Sequence, residues 1–511
     1  MKIAPILLLC TLASAATLCP GQPDYTLHAR RVAPAPPDPA IARAIAAIEP
    51  ARIRQIVEKL VTFQTRSTLS SMEKDLPAGT GVTAAADWIF DQFQAISTQC
   101  GGCLEVRRDT FVADPSSAAG SPWANRIPRP TQITNIYAIL RGSDPAQANT
   151  MYLVTGHYDS RNSNILDARG AAPGANDDAS GVAVSLECAR ELSKMHFPAS
   201  LVFVAVAGEE QGLVGSAHLA KLAKEQGWNL LGVLNNDIVG GNTTPGDTLQ
   251  LKDRVRVFSE GEPVSATPQQ ARRIRALGEE NDSPSRELAR AIEDVDRTYF
   301  PAAGKAPFRA FLVARPDRYL RGGDHSSFNR EGFAAVRFTE WREDFNHQHQ
   351  NVVKPPDHPN DKNPSSGTPM AGSGSPILGD LPEFVDFTYA AKVARLNAAT
   401  LATLAASPGE PAKVTIDMHN VENGTTLKWE PAPGAVAHYQ LLWRETTASD
   451  WQYVQDVPPA AGGEISLTVP ISKDNVIFGV RAVDARGHRG LVVVPESPGS
   501  KHDTVLRNGV T

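Results

Sequence analysis

The sequence is poor in several features that mark specialised classes of protein. It has only 5 Cys in 511 residues, 6% aromatic residues, and 50 basic against 56 acidic side chains. The scarcity of cysteine excludes a small disulfide-rich scaffold. The slight acidic excess gives no electrostatic argument for nucleic acid or anionic lipid as a partner. At roughly 150 residues per domain, we expect two or three globular domains.

Long hydrophobic runs are also missing. No stretch reaches the ~18 apolar residues that a membrane-spanning helix needs, so we expect no membrane span. A nearly unbroken apolar run over residues 3–13 follows Lys2 and precedes the small residues Ala13-Ser14-Ala15, which is typical of a signal peptide over residues 1–15. We therefore expect export to the periplasm or the extracellular medium. The Pro- and Ala-rich residues 16–45 predict a linker or pro-segment.

The positions of the few cysteines agree with export. Cys100 and Cys103 are separated by two glycines, and a local disulfide is the expected state of such a pair in an oxidising compartment. A redox motif and part of a zinc knuckle are the alternatives. Cys188 falls on a predicted helix, where we expect a buried thiol.

Hydrophobic periodicity predicts an α/β domain over residues 46–406. Apolar spacing indicates helices near residues 53–61, 88–93, 182–192, 213–223, 286–295 and 381–405, and strands at 151–155, 201–207 and 231–234. Strands that alternate with helices imply a mostly parallel sheet with helices on both faces. The rest of residues 241–320 is expected to be irregular, and the Pro-, Gly- and Ser-rich residues 354–376 predict a long loop.

The apolar period changes to strict alternation near residue 411. About seven short strands over residues 411–500 predict an all-β sandwich. The succession of Trp429, Tyr439 and the run 478–483 resembles a fibronectin type III module. This resemblance implies a surface or substrate-tethering domain, and a simple stabilising appendage is the alternative.

Polar segments follow the predicted central strands. They are His157-Tyr158-Asp159, Asn176-Asp177-Asp178, Glu209-Glu210, Asn235-Asn236-Asp237 and Gly323-Asp324-His325. Ligand sites of open α/β sheets lie at the carboxyl ends of strands, so these segments could converge. Each alone has an ordinary structural explanation, such as a helix N-cap or a solvated loop. Burying so many carboxylates together is costly unless divalent cations compensate them, and mixed His and carboxylate ligands suit zinc.

These motifs resemble those of the co-catalytic di-zinc exopeptidases. That group includes secreted bacterial leucyl aminopeptidases and, more distantly, glutamate carboxypeptidase II and the transferrin receptor. The runs Gly-Ala-Asn-Asp-Asp-Ala-Ser-Gly and Gly-Glu-Glu-Gln-Gly-Leu-Val-Gly-Ser carry the resemblance. It implies a zinc exopeptidase fold and two Zn²⁺ ions. Their ligands would be His157 and Asp237 for one ion, Glu210 and His325 for the other, and Asp177 for both.

The resemblance also gives roles to three neighbouring carboxylates. Glu209 would be the general base rather than a ligand, and adjacent Glu209 and Glu210 can face different ways on an irregular turn. Asp159 would orient His157, and Asp178 would follow Asp177 across a strained peptide bond. The implied function is a zinc aminopeptidase that hydrolyses peptide or protein N-termini through a metal-bridging hydroxide.

Two other functions stay open at this point. A carboxypeptidase or dipeptidase on the same metal ions would need cations for a substrate carboxylate, and the candidates are Arg309, Arg315, Arg318 and Arg321. A catalytically inactive binding protein of the same fold is the other, and a missing ligand or base would favour it.

Three further features of the site are left open by the sequence. The group that stabilises the oxyanion could be Tyr299, Tyr319, His347 or His349. His347 and His349 could also form a further metal pair or a polar wall, because alternate residues of a strand share a face. We expect the loop over residues 354–376 to overhang the cleft, and the N-terminal side-chain preference to depend on residues 241–320.

Overall fold

The structure, a computed structural model, describes most of the chain. The described residues are 23–26, 29–118, 125–301, 307–353, 377–419, 422–460 and 462–496. The predicted signal peptide over residues 1–15 and the predicted loop over residues 354–376 lie outside them. None of the helices in the described part is long and apolar enough to cross a membrane.

Many helices begin where the sequence provides start signals. The helices are α1 Pro39–Ala46, α2 Pro50–Val61, α3 Gly81–Gln99, α4 Ala179–Leu192, α5 Val214–Glu225, α6 Pro268–Leu277, α7 Pro284–Tyr299, α8 His325–Arg330 and α9 Phe387–Ala406. Four of them start at a proline, whose fixed φ and missing N–H suit the first helical position. Asp386 caps α9 by accepting hydrogen bonds from the N–H groups of Thr388 and Tyr389.

The strands form one large sheet and two small ones. They are β1 Arg30–Arg31, β2 Leu104–Ala113, β3 Thr131–Leu140, β4 Thr150–His157, β5 Ser200–Val206, β6 Asn229–Asn236, β7 Arg254–Ser259, β8 Arg309–Val313, β9 Ala335–Thr339, β10 Ala412–Ile416, β11 Thr425–Glu430, β12 His438–Glu445, β13 Tyr453–Val457, β14 Ile465–Val469 and β15 Val476–Val483. The large sheet has the order β2-β3-β5-β4-β6-β9-β7-β8.

The large sheet carries a helical layer on each face. Strands β5, β4, β6 and β9 are parallel neighbours, and antiparallel pairs occur towards both edges. Alternate residues of β5 face opposite layers, as strand geometry requires. Leu201 and Phe203 pack with α4 and α9, whereas Val202 and Val204 pack with α5. The predicted α/β fold with helices on both faces is confirmed.

The expectation of an irregular stretch over residues 241–320 is wrong for three elements. Strands β7 and β8 extend the large sheet, and α6 lies between them in the sequence. Strand β7 alternates the half-exposed Arg254 and Arg256 with the buried Val255 and Val257. A buried parallel strand gives a continuous apolar run, so this half-polar pattern did not stand out.

The C-terminal region forms two antiparallel sheets, as predicted. Their orders are β1-β13-β12-β15 and β10-β11-β14, around a core that contains Trp429, Tyr439 and Phe478. One strand comes from the other end of the chain, because Arg30 pairs with Val454 in β13. Residues 16–45 were expected to be a linker or pro-segment, yet their described part includes this strand and most of α1.

Both predictions for the cysteines are confirmed. Cys100 and Cys103 form a disulfide directly after α3. Cys188 is a free, buried thiol on α4.

Candidate metal centre

Most of the predicted site residues lie at the carboxyl ends of the parallel strands. His157 is the last residue of β4, Glu209 and Glu210 follow β5, and Asp237 follows β6. Asp177 stands just before α4, in the loop that returns from β4. Because β4, β5 and β6 are parallel neighbours, their ends bring these side chains to one edge of the sheet.

Two groups of side chains that could hold a metal ion lie side by side at this edge. In each group the ligand atoms lie within 4.8 Å of one another. The first group contains His157, Glu209 and Asp237, and the second contains Asp177, Glu210 and His349.

The carboxylate of Asp177 stands between the two groups. Its Oδ1 lies 3.0 Å from Nε2 of His157, and its Oδ2 lies 2.8 Å from Nε2 of His349. The same nitrogen of His349 lies 2.9 Å from Oε1 of Glu210. One carboxylate therefore faces both sets of ligands.

The structure does not bring His325 together with the other predicted ligands. His325 is buried at the start of α8, with Nε2 2.8 Å from the carbonyl oxygen of Pro316 and 3.8 Å from Asp317, and it belongs to neither group. His349 stands in the place expected for it. His325 and His349 both follow β6 in the sequence, and neither lies next to a strand that the sequence predicts. The sequence therefore does not show which of them lies at the sheet edge.

The two carboxylates that were expected to support the ligands do contact them. Nδ1 of His157 lies 3.1 Å from the carbonyl oxygen of Asp159 and 3.5 Å from its carboxylate. Asp178 follows Asp177 through a cis peptide bond and accepts hydrogen bonds from the N–H groups of His157 (3.0 Å) and Gly181 (2.9 Å). A Cβ at Gly181 would lie 2.1 Å from the Asn236 carbonyl oxygen, so this motif position requires glycine.

Four contacts at the site were missed from the sequence. Gln348 donates to Oδ2 of Asp177 (3.0 Å), and Arg161 donates to Oε2 of Glu210 (3.0 Å). Nη1 of the fully buried Arg337 lies 2.6 Å from Oδ2 of Asp237. Asp380 accepts hydrogen bonds from the backbone of the Asp177 loop. The alternating His347-Gln348-His349 run was a signal for the first contact, and no pattern marks the other three.

Several carboxyl groups are buried close together at the site, and this shifts the pKa values of its side chains. Burial raises the pKa of Glu209 well above its usual value, and Asp237 and Glu210 add to that shift. Burial disfavours the charged ring of His349, but Glu210 and Asp177 outweigh it and raise the pKa of His349 to about 9. Cations placed among these carboxylates would favour their ionised forms. Imidazole nitrogens with carboxylate oxygens are a donor set that suits zinc.

A cleft of about 510 Å³ opens above these side chains. Its lining includes the carboxylates of Asp177, Glu209, Glu210 and Asp237, five arginines (Arg126, Arg161, Arg318, Arg321 and Arg330), and the exposed Leu320 and Phe345. The volume lies in the range of small-molecule sites. Of the residues proposed for the oxyanion, only His349 is part of this lining; Tyr299 instead bonds the backbone of Asp38.

Comparison with known proteins assigns the chain to a family. The family description "Peptidase family M28" matches residues 135–363, the part that carries all the side chains of both groups. A probable zinc metalloprotease of Pyricularia oryzae is 43% identical over 471 residues, covering 90% of this chain and 85% of that protein. The chain belongs to peptidase family M28. A second relative of this M28 chain, a probable zinc metalloprotease of Leptosphaeria maculans, is 40% identical and covers 90% and 97% of the two chains.

Solved structures with a similar architecture are more distant. LapB from Legionella pneumophila is 17% identical to the M28 chain, with a TM-score of 0.46 and coverage of 72% and 75%. The zinc aminopeptidase BSAP from Bacillus subtilis is 14% identical, with a TM-score of 0.42 and coverage of 69% and 94%. The two relatives with high identity are fungal proteins, whereas the motifs had suggested secreted bacterial enzymes.

Proposed function

We propose that the chain is an exported, zinc-dependent aminopeptidase that removes N-terminal residues from peptides or proteins. The observation that supports this most is the position of Asp177, whose two carboxylate oxygens face His157 and His349. A carboxylate so placed can share its oxygens between two cations. One cation would be held with His157 and Asp237, and the other with Glu210 and His349.

Glu209 carries the acid–base chemistry in this proposal. When bound, a pair of zinc ions lowers the pKa of a water molecule and polarises the carbonyl group of the scissile bond. The Glu209 carboxylate takes a proton from the attacking water and returns it to the nitrogen of the leaving peptide. Among the carboxylates around the cations, Glu209 is also the best-placed candidate to contact the ammonium group of a free N-terminus, by charge.

The test is the variant Glu209→Gln, which keeps the size of the side chain and removes its basicity. We expect zinc content to stay at the wild-type value and kcat on an amino-acid p-nitroanilide to fall by at least ~10²-fold. The matched control is Glu225→Gln at the exposed end of α5, which should leave both unchanged. Near-normal turnover by Glu209→Gln would refute the proposed role.

A carboxypeptidase or dipeptidase remains the second candidate, on one observation. Arg318 and Arg321 line the cleft as cations that also contact Glu343, whereas Arg309 and Arg315 are not part of the described lining. Comparing amino-acid p-nitroanilides with N-blocked dipeptides separates the two activities. Zinc binding without turnover of either substrate type would instead support an inactive binding protein.

Two properties outside the cleft complete the proposal. The proposal of export rests on the apolar N-terminal run of the sequence. Comparing the amounts of secreted and cell-retained protein after expression tests it. The assignment of residues 411–500 to a fibronectin type III module rests on the order of their aromatic residues. We propose a tethering or stabilising role for this sandwich, and no contact with nucleic acid.

A further inference from the structure

Asp380 holds the backbone of the loop that carries Asp177. Its Oδ1 accepts a hydrogen bond from the N–H of Asn176 (2.7 Å), and its Oδ2 accepts one from the N–H of Asp177 (2.7 Å). Its carbonyl oxygen accepts from the N–H of Ala175 (3.2 Å). One buried residue thus binds three successive amides of a segment that belongs to no helix or strand.

The opposite side of this loop is held through its carbonyl oxygens. The buried guanidinium of Arg66 donates to the carbonyl oxygens of Pro173 (2.5 Å) and Gly174 (2.8 Å), and also to that of Tyr158 (2.6 Å). The Arg66 guanidinium on the carbonyls and the Asp380 side chain on the amides fix the path of the chain from both directions. Hydrogen bonds to charged groups are the strong ones, and a buried amide left without an acceptor is costly.

The described residues on either side of residues 354–376 contact each other, and Asp380 belongs to the later of these two segments. Residues 353 and 378 are bridged by two backbone hydrogen bonds, of 3.1 and 2.9 Å, and Gly379 donates to the carbonyl oxygen of Asn346 (3.0 Å). The segment before residue 354 brings Gln348 and His349 to Oδ2 of Asp177. The segment after residue 376 brings Asp380 to the backbone N–H of Asp177, so both segments contact the same residue.

We propose that Asp380 is a positioning residue for Asp177. By fixing the two amides before the Asp177 side chain, it sets the direction of the one carboxylate that faces both ligand groups. The inference rests on the proposed metal site, and it predicts that the affinity for zinc depends on a residue that contacts no metal-binding atom. Supporting residues of this kind typically change metal affinity by ~10–100-fold when they are replaced.

The variant Asp380→Asn isolates this effect because it keeps the shape of the side chain. Asparagine offers one acceptor oxygen, and its NH₂ group would face a second N–H donor, so one of the two amides loses its partner. The matched control is Asp386→Asn, six residues further along the same segment. Asp386 caps α9 and lies outside both ligand groups, and asparagine is an equally good N-cap.

The experiment measures the zinc affinity of the purified full-length chain by competition with a chromophoric chelator. We expect Asp380→Asn to lose at least ~10-fold in affinity and Asp386→Asn to stay within about twofold of wild type. Thermal unfolding of the chelator-stripped proteins measures fold stability separately from metal binding. If Asp380→Asn does not fold, Asp380→Ser takes its place, since the smaller side chain leaves room for a water molecule at the amides.

The outcomes separate this inference from the proposed function. Wild-type zinc affinity in the folded Asp380 variant overturns the positioning role, and so does an equal loss in the Asp386 control. Wild-type protein that binds no zinc would refute the proposed function instead. A loss of affinity confined to the Asp380 variant, with kcat reduced and KM within about twofold, supports the role.

Discussion

Replacing Asp294 by asparagine should destabilise the protein through the contact between α7 and the β-sandwich. Asp294 lies on α7, and its carboxylate contacts Nη1 of Arg481 (2.9 Å) and Nη1 of Arg489 (2.9 and 3.0 Å). The Asp294 side chain is 17% exposed and that of Arg481 only 6%. Removing one partner of a buried ion pair costs ~3–5 kcal/mol, and the partial exposure favours the lower end, about 3 kcal/mol.

The pH dependence of this loss gives a second, independent check. Burial alone would raise the pKa of Asp294, but Arg481 and Arg489 outweigh it and lower the pKa below its usual value. A carboxyl with a lowered folded-state pKa stabilises the fold above its unfolded pKa, and the stabilisation is lost as the pH falls through the folded-state value. The difference between wild type and Asp294→Asn should therefore be constant from pH 7 to about 5.

Urea unfolding followed by circular dichroism, at several pH values, measures the free energy of unfolding. The control is Asp450→Asn at the rim of the same contact, where Asp450 pairs with Arg297 (2.6 Å) and the side chains are 30% and 41% exposed. An exposed pair of this kind contributes at most ~1 kcal/mol. A loss at Asp294 no larger than that at Asp450, or a loss that fades between pH 7 and 5, would refute the reasoning.

Two further predictions concern the metal centre and the cleft. His349→Ala should lower the zinc stoichiometry of the purified protein while His325→Ala keeps it, because only His349 contacts Asp177 and Glu210; the reverse result in elemental analysis would restore the original prediction. Replacing residues 354–376 by a short Gly-Ser linker should keep zinc binding, because residues 353 and 378 are already bridged, and should change KM for long peptides more than for short ones. Identical KM ratios on both peptide lengths would refute the idea that the loop overhangs the cleft.

Local signals in the sequence mark those residues that the structure brings together after β4, β5 and β6. The segments that end β4, β5 and β6 carry the proposed ligands next to buried strands, so the strand order alone brings these side chains together. The histidine of the second group depends instead on where the chain returns after residues 241–340. That path includes β7 and β8, whose half-polar patterns do not mark them as strands of the large sheet.

Supporting contacts were predicted only where they lie next to a motif. Asp159 and Asp178 are adjacent to ligands in the sequence, and their contacts were expected. Asp380 and Arg337 contact proposed ligands that lie far from them in the chain, through a backbone amide or a carboxylate oxygen. No periodicity or spacing records such contacts, because a single aspartate or arginine has no pattern of its own.

The strand pair between β1 and β13 determines how the C-terminal region can be studied alone. Arg30 and Arg31 pair with Val454 and Tyr453, and Val32 donates to the carbonyl oxygen of Gln452 (3.0 Å). A fragment that begins at residue 411 would lack β1 and leave β13 as an unpaired edge strand. Unpaired edge strands promote intermolecular pairing and aggregation. Joining residues 23–32 to the N-terminus of the fragment through a flexible linker would restore the pairing of β1 with β13.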